Sequence, residues 1–563
     1  MEHTLWQSLS QDKLLTWLET ITAHHRIKGG PELETLLERL ACTLDRVDNL
    51  SVTLHRFASS TCYGTWRAPR NWRLGNAQAE LLLPNGSLPV ITGQEKYFGI
   101  CDYSMPPKAP LDIVADTNQP MQNKAILVRD ASRLDMMRLV HKHKAAGILI
   151  APSGKTPPDA RKWHRLPLTG HERDIPFALS LTRDQGDLIA ANTGSLQIQL
   201  DLDAGFCPGC LPVLQLTTPS HPVKEYIVVT AHICHPKPCA NDNASGCAAV
   251  LELACRYADI LAKKPSTRGI IFLLVPEVLG TQAWLLSDAA KGLHITNGLN
   301  LDMVACNMEN CDTRLHIVRP PFFMHSLMPW LAKHYLTQSA EFTGKHLPVN
   351  MRAFSIGSDH HALVFPGADI PSISLGCWPD PYYHTNKDTI DRLSLDVLQQ
   401  VTWTAGMVLS HLLYDRSREL AHILPQLPSS AQERRWLYQD SAGYPAPWRA
   451  ALKPKPGPLP TWPRHPKDTL TPKRLYQGPI SRKAVFERSQ GKAVSQLERL
   501  SSSDAFLMLN NISVAEMLLN GKNSIHDIIT TLVQNGLTDN PQALQEQLLL
   551  TLDQLVSWDF IAF

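Results

Sequence analysis

The chain has 563 residues, of which 44% are hydrophobic and 19% charged, proportions that exclude a disordered or collagen-like polymer. Its 54 lysines and arginines against 52 aspartates and glutamates leave a net charge of +2, so no general pull toward nucleic acid or a membrane surface is expected. No apolar run is long enough for a membrane span, and the first residues lack the basic cap and apolar core of a secretory signal; the expectation is a cytoplasmic protein of several domains.

Residues 1–103 open with an amphipathic helix at Asp12–Ile21 and a second helix ending near Leu44. Between them lies His24-His25-Arg26-Ile27-Lys28-Gly29-Gly30-Pro31. The two histidines and Arg26 are read as a structural or solvated helix end, with reach into a catalytic centre as the lesser expectation. Residues 104–204 change character. They carry a strand at Lys124–Arg129, a helix over Ser132–Gly147 and further strands at Ile148–Ile150 and Ile175–Leu181. His141 and His143 stand two apart and do not share a helix face, which argues against a metal pair. The twelve cysteines are scattered and expected to be mostly free thiols. Cys207-Pro208-Gly209-Cys210 has no second pair to complete a four-cysteine zinc site and reads as a turn.

Residues 205–418 hold the chemistry. Tyr226–Thr230 is an apolar, β-branched strand leading into Ala231-His232-Ile233-Cys234-His235-Pro236. Asp242 follows in Asn-Asp-Asn-Ala-Ser-Gly at the start of a helix. Strands at Ile270–Val275, Gly298–Leu301 and Asp369–Leu375 are followed by Glu277, Asp302 and His384. Ligand sites in open α/β sheets lie outside the carboxyl ends of the strands. Two histidines and three carboxylates collected at one sheet edge make a donor set for divalent zinc. Residues 419–479 are too rich in proline for helix or central strand and read as a linker. In 480–563, helical spacing at Val514–Gly521, Ile525–Val533 and Gln542–Val556 precedes a strand at Trp558–Phe563, as in a winged helix. Six basic against nine acidic side chains there disfavour DNA and favour packing or protein contact.

Taken together, Ala231-His232, Asn241–Gly246, Asn300-Leu301-Asp302-Met303, Ser358-Asp359-His360 and Tyr383–Thr389 give the chain a resemblance to the clan of zinc aminopeptidases and glutaminyl cyclases over roughly residues 205 to 415. Within it, the chain resembles a bacterial aminopeptidase-like subfamily with His-Ile/Leu-Cys-His-Pro, a lone glutamate after proline and a winged-helix tail. The resemblance implies an α/β fold: a phosphorylase/hydrolase-like mixed sheet with helices on both faces, a protease-associated-like β-rich insert over 104–204 and a C-terminal winged-helix domain. It further implies that Asp242 bridges two zinc ions, that His232 and Asp302 complete one site, and that His384 with a carboxylate near Glu277 completes the other. Asp359 and His360 would support the ligands from behind. Tyr383, beside His384, is the candidate oxyanion donor.

Two departures keep one and two zinc ions both open. Val278 follows Glu277 where the clan has a second glutamate, and Cys234 stands where an aspartate orients the first histidine. Glu277 is read as the general base, while Cys234 or His235 either backs the ligands or adds one. The expected activity is a zinc-dependent aminopeptidase acting on short or modified peptides. The alternatives are an acyltransferase of the glutaminyl-cyclase type and a catalytically weak peptide-binding protein. No nucleic-acid or membrane partner is expected, and a homo-oligomer is compatible with the sequence.

Overall fold

A computed structural model describes residues 2–115, 120–131, 133–154, 156–167, 175–192, 194–321, 324, 326–414, 463–480, 484, 488, 516–534 and 541–563. Its centre is an eight-stranded mixed sheet built from β1 (Ser51–Ala58), β2 (Cys210–Thr218), β3 (Glu225–His232), β4 (Arg268–Val275), β5 (Ile295–Leu301), β6 (Arg314–Val318), β7 (Val349–Arg352) and β8 (Ser372–Trp378). The spatial order is β1-β2-β4-β3-β5-β8-β6-β7. Strands β4, β3, β5 and β8 run parallel, with His232 opposite Val275 and Leu301 opposite Leu375. Their carboxyl ends therefore open along one edge.

The apolar runs of β3 and β4 are explained by burial on both faces, as expected of parallel strands. Ile227, Val229, Ala231, Ile270, Phe272 and Leu274 join one core cluster, beneath α1 (Gln11–Thr22), α2 (Pro31–Leu44), α3 (Gly246–Lys263), α4 (Met328–Thr343) and α5 (Leu395–Tyr414). The alternating residues Val228, Ile271, Leu273 and Val275 face the other way, onto Trp284 and Leu363 of the short helices Leu279–Leu285 and His360–Leu363. This period of two divides the strands between two layers.

A second, seven-stranded sheet runs from Gly86–Ile91 through Trp72–Leu83, Gln197–Phe206, Leu111–Val114, Ala125–Arg129 and Gly147–Ala151 to Phe177–Ser180. The boundary expected at 103/104 is corrected by this sheet. The long strand Trp72–Leu83 pairs with Gln197–Phe206, so the insert begins before Trp72, because its two outgoing and returning strands must hydrogen-bond to each other. The helix expected over Ser132–Gly147 covers Arg133–His141, and the chain turns out at Lys144, which has φ +53°. Cys207 and Cys210 flank a turn between strands.

The carboxyl-terminal unit packs Ile525–Gln534 and Pro541–Ser557 around Phe560 and Ile561, against Phe354, Val364 and Phe365 of the central unit. Lys473–Arg474 pairs antiparallel with Ile561–Ala562. The segment expected to end a linker at 479 is thus part of this unit over 463–480, because its backbone supplies a strand partner. Most of the linker and part of the Val514–Gly521 helix lie outside the described residues. No described helix is long and apolar enough to cross a membrane.

Glu516 is buried in this unit, with its carboxylate accepting from the Tyr476 hydroxyl and from Ile480 N at 3.0 Å. Burial pushes its carboxyl from 4.5 up to about 8. The unfolded chain ionises near 4.5 while the native state retains the proton, so stability falls as pH rises from about 4.5 to 8. Thermal melts of Glu516→Gln across that interval are expected to lose this pH-dependent component relative to the unmodified chain.

Candidate metal centre

His232 is the last residue of β3, Asp302 follows the last residue of β5, and Glu277 lies two residues past β4. Asp242 lies in a kinked turn, Ala240–Ser245, that leads into α3. Gly246 opens that helix so close to β5 that a Cβ would lie 2.2 Å from the Leu301 carbonyl oxygen. His384 is carried by the loop after β8 and has φ +56°.

These elements bring four side chains together around the Asp242 carboxylate. Oδ1 of Asp242 lies 3.3 Å from His232 Nε2, which is itself 3.2 Å from Asp302 Oδ1. Oδ2 lies 3.3 Å from His235 Nε2 and 3.2 Å from His384 Nε2, and those two ring nitrogens are 3.2 Å apart. The donors thus fall into two sets of three, His232/Asp242/Asp302 and His235/Asp242/His384. Burial disfavours charge on Asp242 and His232, yet the mutual attraction outweighs it: Asp242 is held well below the usual carboxylate range and His232 raised well above the usual imidazole range. His235 is pushed down to about 4 by burial, which opposes the pull of Asp242.

The surroundings fix this geometry. The Asp388 carboxylate accepts from Asn241 N at 2.7 Å and Asp242 N at 2.9 Å. Arg26, fully buried, pairs its backbone with that of His235 and donates from its guanidinium to the carbonyls of Pro236, Pro238 and Cys239. Cys234 Sγ accepts from Glu277 N at 3.2 Å; its sulfur also lies near His232 and His235. The Asp359 carboxylate accepts from Val278 N at 2.7 Å and Thr281 Oγ1 at 2.6 Å, so it holds the turn that carries Glu277. His360 bonds to the Ser355 carbonyl, outside the donor sets. Tyr383 stacks on His384 with ring centroids 3.8 Å apart.

Glu277 belongs to neither donor set. It pairs with Lys28 at 3.0 Å. Burial would raise its carboxyl, but Lys28 and the neighbouring imidazoles hold it down to about 2.

Lys28 and Trp163 were not singled out from the sequence. Lys28 sits in the His24–Pro31 stretch, and the signal for it was that stretch's clustering of basic residues. Arg26 and Lys28 reach the centre, whereas the His25 ring packs, tilted by 31°, against Tyr97 with centroids 4.7 Å apart. Trp163 comes from the insert: its backbone N–H donates to the His384 carbonyl at 2.7 Å, its indole N–H donates to Asp102 Oδ2 at 3.1 Å, and its ring lies 4.6 Å from His235 and 5.1 Å from His384. No local pattern marks it, because the contact joins residues separated by a whole domain.

Residues 213–409 match the profile of Peptidase family M28. Among curated proteins none matches the chain. Among solved structures, the chain is similar to BSAP, a zinc aminopeptidase from Bacillus subtilis, at 17% identity and a TM-score of 0.51, over 72% of this chain and 96% of that one. A Clostridium acetobutylicum protein provisionally described as a peptidase aligns over 99% of this chain and 97% of its own, at 17% identity and a TM-score of 0.53. A peptidase M28 precursor from Shewanella amazonensis aligns over 72% and 94%, at 17% identity and 0.52. At these identities the likeness is one of fold.

Replacing Arg26 with lysine keeps the charge but removes the fork that satisfies several buried carbonyls. Chemical denaturation of Arg26→Lys is expected to show a loss of about 1–3 kcal/mol, with weaker metal retention because the same loop carries His235.

Proposed function

Taking residues 213–409 as a domain of peptidase family M28, we propose that this chain is a zinc aminopeptidase that removes the N-terminal residue of short or modified peptides. The observation that carries the reading is the division of the Asp242 carboxylate between two complete donor sets. His232, Asp242 and Asp302 would hold one zinc, and His235, Asp242 and His384 a second. The donor separations of 3.2–3.3 Å agree with the edge of a tetrahedron whose zinc–nitrogen and zinc–oxygen bonds are about 2.0–2.1 Å, roughly 3.3 Å. The donor chemistry, imidazole with carboxylate, suits the same ion.

This assignment accounts for the absent second glutamate. His235 takes the place of the missing acid as the third donor of the second set, and Glu277 remains free to act as base. Zinc held by these residues would supply Lewis acidity toward a carbonyl and a water. Glu277 then accepts the proton of the attacking water on its carboxylate and returns it to the departing amine. Lys28 keeps Glu277 ionised and fixed in place. The Tyr383 hydroxyl, held protonated by burial and the surrounding carboxylates, is the donor for the developing oxyanion. Trp163 covers His235 and His384, limits ring rotation and keeps bulk water from that side.

The test is mass spectrometry of a mixed short-peptide pool incubated with the zinc-loaded chain, beside Glu277→Gln. Stepwise release of N-terminal residues is expected from the unmodified chain. Glu277→Gln is expected to lose about 10²–10⁴-fold in kcat while binding the same amount of zinc. Loss of water or ammonia without free amino acids would replace this reading with the cyclase one.

Lys28→Met carries a separate expectation. Without the ammonium, the Glu277 carboxyl rises from about 2 toward its ordinary value, so its ionised form is lost at higher pH. The acid limb of the pH–rate profile is expected to move upward, with activity near neutrality affected least.

A further inference from the structure

A second group of donors lies behind the centre just described. Cys306 follows β5 by a few residues, Cys311 ends the short helix Met308–Cys311, Cys377 lies in β8, and Asp380 begins the loop that carries His384. Each is almost fully buried, with 2%, 8%, 2% and 9% of its surface exposed. The sulfurs of Cys306 and Cys311 and a carboxylate oxygen of Asp380 all lie within 4.8 Å of one another. Cys306 is hydrogen-bonded to both of the others, and Cys377 is hydrogen-bonded to the backbone of Cys306. None of these residues belongs to the two donor sets around Asp242.

The chemistry of the group is that of a site for a soft cation. Three acidic donors converge, Cys306, Cys311 and Asp380, with the Cys377 thiol beside them on the Cys306 backbone, and Arg392 acts on Cys311. Burial pushes the three thiols upward, Cys377 to about 12, and raises the Asp380 carboxyl as well. A bound divalent ion reverses that penalty by coordinating the thiolates. Zinc–sulfur bonds of about 2.3 Å give sulfur–sulfur edges of roughly 3.8 Å in a tetrahedron, compatible with donors that all lie within 4.8 Å of one another. A disulfide would use two of the four donors and leave a buried carboxyl beside them.

We propose that Cys306, Cys311, Cys377 and Asp380 form a second, structural site for a soft divalent cation such as zinc. The site's position gives it a purpose. Asp380 accepts from Asn241 Nδ2 and Tyr382 N, each at 2.8 Å, and Asn241 Oδ1 accepts from Ala305 N at 3.1 Å. An ion there staples the segment after β5 to the loop after β8, and Asn241 adjoins Asp242. It fixes the distance between the Asp302 and His384 arms without taking part in the reaction.

Cobalt(II) loading of the full-length chain tests this, because thiolate ligation gives an intense near-ultraviolet charge-transfer band that imidazole and carboxylate ligation do not. The band is expected in the unmodified chain and in His232→Ala/His384→Ala, where all four proposed donors are intact. It is expected to vanish, with one metal fewer per chain, in Cys306→Ser and Cys311→Ser and to persist in Cys234→Ala. Three results overturn the proposal: no such band in the reduced, folded chain; a band that follows Cys234 instead; or an intact mass lower by two hydrogens, with a linked Cys306–Cys311 peptide. Reading the double histidine variant keeps the test decisive even if a cysteine variant fails to fold.

Discussion

The arrangement of this molecule depends on one buried carboxylate. Asp242 presents each of its oxygens to a different pair of donors, and every other side chain at the centre is placed relative to it. An isolated carboxylate so buried would be costly to ionise. It stays ionised because three imidazoles surround it and because Asp388 fixes the adjacent amides, so the acid cannot turn away. The kinked turn before α3, the close approach of Gly246 to β5 and the open carboxyl edge of the parallel strands all serve to present that one group.

Around it, the chain draws on parts remote in sequence. The amino-terminal segment supplies Arg26, which clamps the carbonyls of the His235 loop, and Lys28, which anchors Glu277. The insert supplies Trp163, which lies against His235 and His384. The insert therefore lends a wall to the centre, and its sheet must be held in register with the central one for that wall to stand. The carboxyl-terminal unit packs instead on Phe354, Val364 and Phe365.

Much of the fold was legible. The apolar runs of β3, β4 and β5 could be placed because strands buried on both faces have little freedom in composition. His232, Asp242, Asp302 and His384 could be collected because each follows a strand or opens a helix on a known edge. The role of His235 stayed open in the sequence, since adjacency to Cys234 does not say which way a ring points once the strand has ended. The insert's boundary was misplaced for a related reason: Trp72–Leu83 alternates like many strands, and only its pairing with Gln197–Phe206 shows to which sheet it belongs.

The sequence by itself determined the strand and helix periods, the edge at which the donors gather and the presence of a single glutamate after β4. These are local matters, decided by which residues tolerate burial and which end an element. Only the tertiary structure decided that Asp242 is shared, that His235 faces His384, that Lys28 meets Glu277, and that Cys306, Cys311 and Asp380 converge behind the centre. Those contacts join segments tens to hundreds of residues apart, and their distances are set by the packing of whole layers, which no local pattern records.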